Sequence, residues 1–391
     1  MAPEEYSAKM KETGVNSVRT RLHKTFRGTI GATLIVSLVA TMVFWQSTSV
    51  VFAWEQKYAS SSSNTPFQNV GEKTTTSTLR YIGMNYLTLY HMYDTSTRTL
   101  EQDFARFKND GMNTIVITMF WYRLESSKGV YDQQFINNVI RVSNLASKYG
   151  LQVMIDFHTL VGHGDSWSNP QYVGVAMNLI TDSEITAAYV AMVKWTVTQL
   201  KVLKNVWTYS VLNEPWYWPL DQWRKTNWIN LIVDLSRTVK EVSGKPVTAR
   251  FVGALFERDW SWDSRLLGAL DFISVNAYLS EGKVNDVYWN DLDEYKAGFV
   301  SISQKAATFG KQVQVTEFGY STSDDALQSN KYRAYTDIFK STANVIGWVS
   351  WGWDCGYDRN NPTFTQIGEY SIVVQVTGSP RPAYSILTQN R

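Results

Sequence analysis

Two glutamates in this sequence each close an apolar run and are followed at once by a turn. Glu214 lies in Val211-Leu212-Asn213-Glu214-Pro215, and Glu317 in Val315-Thr316-Glu317-Phe318-Gly319. An uninterrupted apolar run reads as a strand buried on both faces, so each carboxylate is expected at a strand end. A single glutamate there is usually salt-bridged or solvated. Two of them, one after Asn and one after Thr, suggest a working pair. One carboxyl can protonate a leaving oxygen while the other attacks the adjacent carbon or activates water, which is what glycosidic cleavage requires.

The aromatic content points the same way. There are 16 Trp, 22 Tyr and 17 Phe, or 14% of the chain. Sugar rings present CH-rich faces that stack on such rings. Trp121, Trp167, Trp216, Trp218, Trp223, Trp260, Trp262, Trp289 and Trp353 fall at expected strand ends or in the loops after them. They are expected to line a cleft, with Trp216 and Trp218 as platforms on the leaving-group side. Trp195, Trp207 and Trp228 lie within expected helices or a strand and read as core.

The elements that position these residues alternate. Strand candidates are Arg80–Asn85, Thr114–Met119, Leu151–Phe157, Val206–Asn213, Pro246–Arg250, Asp271–Asn276, Gln312–Glu317 and Val345–Trp351. Helix candidates between them are Leu100–Asp110, Gln134–Tyr149, Asp182–Leu203, Lys225–Val242, Ser264–Leu270, Leu292–Phe309 and Lys331–Thr342, with Pro382–Gln389 last. This predicts an α/β chain forming a single (β/α)8 TIM barrel over 79–391. A doubly wound sheet is the alternative, but Gly83-Met84-Asn85-Tyr86 lacks the glycine-rich first turn. In such a barrel chemistry gathers where strands end. Besides the two glutamates, the strand-end residues are Asn85, Phe120, Trp121, His158, Asn213, Arg250, Asn276, Tyr278, Trp351 and Trp353.

Composition excludes several other functions. A net charge of +2 leaves no footprint for nucleic acid. One cysteine, Cys355, excludes an intrachain disulfide and a cysteine-based zinc site. His158 and His163 have no third histidine nearby, so no metal and no cofactor is expected. Nothing points to an oligomer, and a monomer is expected.

The N-terminal segments read separately. Residues 1–27 form a basic, cytoplasmic segment, with Lys9, Lys11, Arg19, Arg21, Lys24 and Arg27 against Glu4, Glu5 and Glu12. Residues 28–53 carry no charge and are long enough to cross a bilayer, with Ile30–Trp45 the most apolar part. They read as a membrane signal-anchor, or as a signal peptide cut after Val51-Phe52-Ala53, or least well as a buried soluble helix. Either of the first two exports the rest of the chain to the extracellular face. Residues 54–78 read as a Ser/Thr-rich linker.

With Asn-Glu-Pro ending the fourth strand and Glu-Phe-Gly the seventh, residues 79–391 resemble the retaining β-glycosidase clan of (β/α)8 barrels, and within it glycoside hydrolase family 5, the cellulases and mannanases. The resemblance implies Glu214 as acid/base and Glu317 as nucleophile, acting on a β-1,4-glucan or β-mannan by double displacement. It implies Asn213 at the sugar 2-hydroxyl, His158 near the −1 sugar, Tyr278 bonded to the nucleophile and Trp351 under the −1 ring. The sequence departs from the family twice. The second strand, Thr114-Ile115-Val116-Ile117-Thr118, lacks the usual arginine, and the sixth has Asn276-Ala277-Tyr278 where His-x-Tyr is usual. Arg250, ending the fifth strand, is the candidate for the missing cation. A transglycosylase and an inactive glycan-binding barrel share this scaffold. The presence of both glutamates argues against the second.

Overall fold

The computed structural model describes residues 80–86, 99–127, 129–158, 179–215, 221–258, 262–280, 287–353, 370–372 and 379–388. The segments 1–27, 28–53 and 54–78, with their anchor, signal-peptide and linker readings, lie outside the described residues. Among the described residues no helix is long and apolar enough to cross a membrane.

Eight parallel strands close into a barrel. They are β1 (Tyr81–Tyr86), β2 (Thr114–Phe120), β5 (Gln152–His158), β6 (Val206–Asn213), β7 (Val247–Val252), β8 (Ile273–Asn276), β9 (Val313–Glu317) and β10 (Val345–Ser350), with β1 hydrogen-bonded to both β2 and β10. Between β2 and β5 a short hairpin, β3 (Glu125–Ser127) and β4 (Val130–Tyr131), interrupts the pattern. Every residue of β2, Thr-Ile-Val-Ile-Thr-Met-Phe, is buried, as a parallel strand between helices and barrel interior must be.

The helices are α1 (Leu100–Asn109), α2 (Trp121–Leu124), α3 (Gln133–Lys148), α4 (Ser183–Leu200), α5 (Gln222–Ser243), α6 (Gly253–Arg258), α7 (Ser264–Ala269), α8 (Leu292–Thr308), α9 (Asp325–Ser341) and α10 (Ala383–Thr388). Their starts are chemically marked. Asp132, Asp182, Asp221, Asp263, Asp291 and Asp324 each accept a backbone N–H of the following turn. Asp324 explains why α9 begins six residues before the expected Lys331: its carboxylate receives the Ala326 and Leu327 amides. Ser321-Thr322-Ser323-Asp324 is the entry to this helix. The one-and-a-half-turn α6, packed directly after β7, was not anticipated.

Inside the barrel, the two ends differ. Near the strand starts, Tyr81 stacks on Trp207 at 3.9 Å and 6°, and Trp207 on Phe272 at 5.3 Å. Val116, Met154, Ile346 and Val349 complete this small separate core. Toward the strand ends the interior turns polar and charged. Outside the barrel, Trp289 wedges between helices where two glycines make room. A Cβ on Gly253 would come within 2.4 Å of the indole, and one on Gly298 within 2.2 Å.

Candidate active site

β6 and β9, which carry Glu214 and Glu317, are separated by β7 and β8 around the barrel. Both strand ends are irregular. Opposite Thr248 and Arg250, the pairing of β6 skips from Ser210 to Asn213; opposite Val275 and Asn276, that of β9 skips from Val315 to Glu317. Such extra residues re-aim side chains, and here they turn Asn213 and Glu317 toward the site. Glu214 itself has φ of 45°, and only it and Asn344 are non-glycine residues of positive φ among the described residues. That conformation costs energy and persists only where surroundings enforce it. The Glu214 N–H donates to Arg250 O at 2.7 Å, and Pro215 follows.

Glu317 is 4% exposed and has a donor on each oxygen. Arg250 Nη2 donates to Oε1 at 2.5 Å and the Tyr278 hydroxyl to Oε2 at 3.0 Å. Glu214 is 5% exposed, and Asn276 Nδ2 donates to its Oε1 at 3.0 Å. The same amide donates to Asn213 Oδ1 at 3.1 Å, while Thr316 donates its hydroxyl to Asn276 Oδ1. Asn276 therefore fills the site's gap where the family usually has histidine.

Arg250 is the missing cation. It is wholly buried and reaches from β7 across the barrel to Asp156, Asn85, Thr316 O and Glu317. Asn85 is fixed in turn by donating to Thr316 O and Ser350 O. A guanidinium's planar fork suits this multiple role, which a lysine cannot reproduce.

Burial pushes the Glu317 carboxyl up to about 8, against Arg250 and the Tyr278 bond, which pull it down; the Glu214 and Asp156 charges add to the rise. A nucleophile must be ionised, so the value needs a physical reading. Two buried carboxyls this tightly connected titrate as a pair. Glu317 receives a guanidinium and a phenol, contacts that favour its ionised form. Burial also opposes ionisation of Asp156, but Arg250, His158 and Ser210 outweigh it and hold that carboxyl below its usual range. Burial and then the Glu317 charge keep the Tyr278 phenol protonated far above its ordinary range.

Asn213, Glu214, Glu317, His158, Tyr278, Asn276 and Arg250 thus meet as the sequence predicts. Trp351 is half-buried beside His158, ring centroids 6.5 Å apart. The cleft expectation fails at Trp121, Trp353, Trp289 and Trp262. Trp121 is buried, with its indole N–H donated to Glu125 at 2.5 Å and its ring against Tyr189. Trp353 is 1% exposed and packs on Phe107 and Tyr384. Both indoles turn into the layer between barrel and helices, as does Trp289. Trp262 stacks on Phe309, at the far end of α8 from its capped start. Trp216 and Trp218, with Trp167 and Trp260, lie outside the described residues. Sequence reasoning missed Tyr288 and Tyr370, whose rings meet Tyr278 edge-on at 5.9 Å from either side. It read Asp156 as structural or as a support behind the site residues.

Known proteins share the family and the fold. Among curated proteins none matches the chain in sequence. Solved structures share the fold at low identity. XacCel5A in complex with cellopentaose has a TM-score of 0.59 at 15% identity, covering 80% of this chain and 99% of that one. An exo-β-1,4-mannosidase from Opitutaceae bacterium strain TAV5 gives 0.63 at 15%, covering 81% and 61%. Endo-glycoceramidase II from Rhodococcus sp. gives 0.57 at 16%, covering 79% and 78%. The model of the cellulase family matches residues 68–356, so the chain belongs to glycosyl hydrolase family 5.

Proposed function

We propose that the protein is a retaining β-glycosidase that cleaves a β-linked glucan or mannan by double displacement. The observation that carries this reading is the asymmetry of the two buried carboxyls. Glu317 has a cation and a phenol on its oxygens and is the anion of the pair. Glu214, held by a neutral amide, is its acid. In the first step Glu317 bonds to the anomeric carbon as the glycosidic bond breaks and Glu214 gives its proton to the leaving oxygen. Loss of the Glu317 charge then makes Glu214 more acidic, so it takes a proton from water as that water displaces Glu317.

Asn213 is placed to assist. Its contact with His158 Nε2 is long, 3.4 Å, so a sugar 2-hydroxyl can compete for that N–H. Trp351 is the platform for the −1 ring. The cellopentaose bound by XacCel5A and the β-1,4-mannosidase activity in the Opitutaceae protein's name favour β-1,4-glucan and β-mannan as substrates.

The catalytic unit works outside the cell. Supporting this are the charge-free stretch 28–53, its basic flank, and a substrate class too large to enter. Soluble β-1,4-glucan, β-1,3-glucan and β-mannan test the substrate by release of reducing ends, and NMR of the first-formed product tests the mechanism. Retained configuration is expected, and inversion overturns double displacement.

A further inference from the structure

One buried carboxylate stands outside the proton transfers yet touches both arms of the site. Asp156 lies in β5 and is completely buried. Its Oδ2 accepts from Arg250 Nη1 at 2.7 Å, and the same guanidinium donates its other nitrogen to Glu317. Oδ2 also meets His158 Nδ1 at 3.1 Å. An ionised carboxylate only accepts, so Nδ1 must carry the His158 proton and Nε2 must be the acceptor. That lets Asn213 Nδ2 donate to Nε2, leaves Asn213 Oδ1 to receive Asn276, and sends the second Asn276 N–H to Glu214. Every donor and acceptor along this path is then consistent.

We propose that Asp156 is the positioning residue shared by both catalytic carboxyls. Through Arg250 it orients the cation on Glu317, and through the tautomer of His158 it sets the amide ladder that ends on Glu214. This rests on the hydrolase reading above and adds a residue that touches no substrate. It also explains how Arg250 works from the fifth barrel strand. A guanidinium reaching into the interior needs an anchor, and Asp156, two strands away on β5, is that anchor.

Asp156→Asn keeps the shape and an acceptor for Arg250 but removes the charge. The groups acting on Glu317 are Arg250, Glu214, Asp156 and Tyr278, with Tyr370 behind Tyr278 and His158 behind Asp156. Without the Asp156 charge, Arg250 acts undivided on the pair, and the shared proton is lost at lower pH. On an aryl β-glycoside, kcat is expected to fall about tenfold to a hundredfold with KM within about twofold. The alkaline limb of the pH profile should move to lower pH. A fall in kcat and melting temperature with the limb unmoved would mean Asp156 is structural only, and overturns the proposal.

A second measurement needs no variant at that position. The nitrogen-15 spectrum of the wild-type chain, with His158→Gln to assign one of its four histidines, should show His158 neutral with Nδ1 protonated. A neutral ring protonated on Nε2 breaks the ladder and overturns the proposal even if Asp156→Asn does not fold. If the wild-type chain releases no sugar, or Glu317→Gln keeps full activity, the hydrolase reading falls and takes this proposal with it. An active wild type with an unmoved limb removes the Asp156 proposal alone.

Discussion

The two ends of the barrel interior are built from the same strands and do opposite things. β5 contributes Met154 near its start and Asp156 and His158 at its end; β6 contributes Trp207 and then Asn213. Phe272 lies just before β8, which ends in Asn276. The lower end is a dry stack of Tyr81, Trp207 and Phe272 over Val116 and Met154. The upper end buries Asp156, Arg250, Glu214 and Glu317 and holds Glu214 at a positive φ. Burying apolar rings favours folding, whereas burying paired charges often costs as much desolvation as it returns. Stability and chemistry are therefore separated along β5, β6 and β8, two to six residues apart.

The largest effect expected from breaking this division is at Glu317. Glu317→Gln should abolish turnover, by at least ~10⁴-fold, because the covalent route disappears. It should leave the fold intact and even help it. The coupled pair keeps a proton up to about 8, against an ordinary 4.5 for a glutamate, so the native state binds that proton more tightly than the unfolded chain. Wild-type stability then falls as pH rises from 4.5 through about 8. The glutamine lacks this loss. Melting curves should show its advantage growing across that window, and a constant difference would contradict the raised carboxyl. Wild-type activity should decline as pH rises through about 8, where the pair loses its shared proton.

Glu214→Ala comes next. Activity on a polysaccharide should fall about 10²–10⁴-fold, the usual worth of a general acid–base. On an activated aryl glycoside the first step should survive and deglycosylation become limiting. Azide should restore turnover and give a β-glycosyl azide, whereas Glu317→Ala with azide should give the α-azide. Exchanged product configurations would exchange the two roles.

Trp207→Ala addresses the opposite end. Removing the middle ring of the stack should cost about 3 kcal/mol, the usual range for losing a large core aromatic. At temperatures where the variant stays folded, kcat/KM should remain within about twofold. A large loss of activity would show that the lower plug positions the catalytic end, and the separation would fail.

What the sequence revealed follows the same line. All eight strands were legible within two residues because parallel strands buried on both faces are continuous apolar runs bounded by turns. Glu214 and Glu317 stood out as carboxylates that end such runs. Side-chain direction was not legible. Trp121 and Trp353 follow strands and were expected to line the cleft, yet both rings turn outward under the helices. Position in a loop reports where the backbone is, whereas the ring goes where apolar partners are, here Tyr189, Phe107 and Tyr384. The role of Asp156 was left open between structural and supporting for a related reason. Its partners Arg250 and His158 are in different relations to it, 94 and two residues away, and only the closed barrel brings the first to it.

The smallest expected effect concerns an indole that stays exposed among the described residues. Trp223 is 56% exposed at the start of α5, on the helix that follows β6 and its glutamate. Its start is capped by Asp221, which receives the Arg224 amide, so the turn does not depend on the ring. Trp223→Ala should therefore change stability by no more than about 0.5 kcal/mol, as exposed substitutions usually do. If the ring stacks on a distant sugar of a bound chain, its loss removes binding that is equal in the ground and transition states. KM for a polysaccharide should then rise several-fold with kcat unchanged, and neither constant should move for a short aryl glycoside. A variant with unchanged KM for both substrates would place Trp223 outside the cleft. Trp351 would then remain as the platform among the described residues. A drop in kcat for the short substrate would instead mean that α5 transmits its position to Glu214, and the upper end would extend further down the barrel wall than the strand chemistry alone implies.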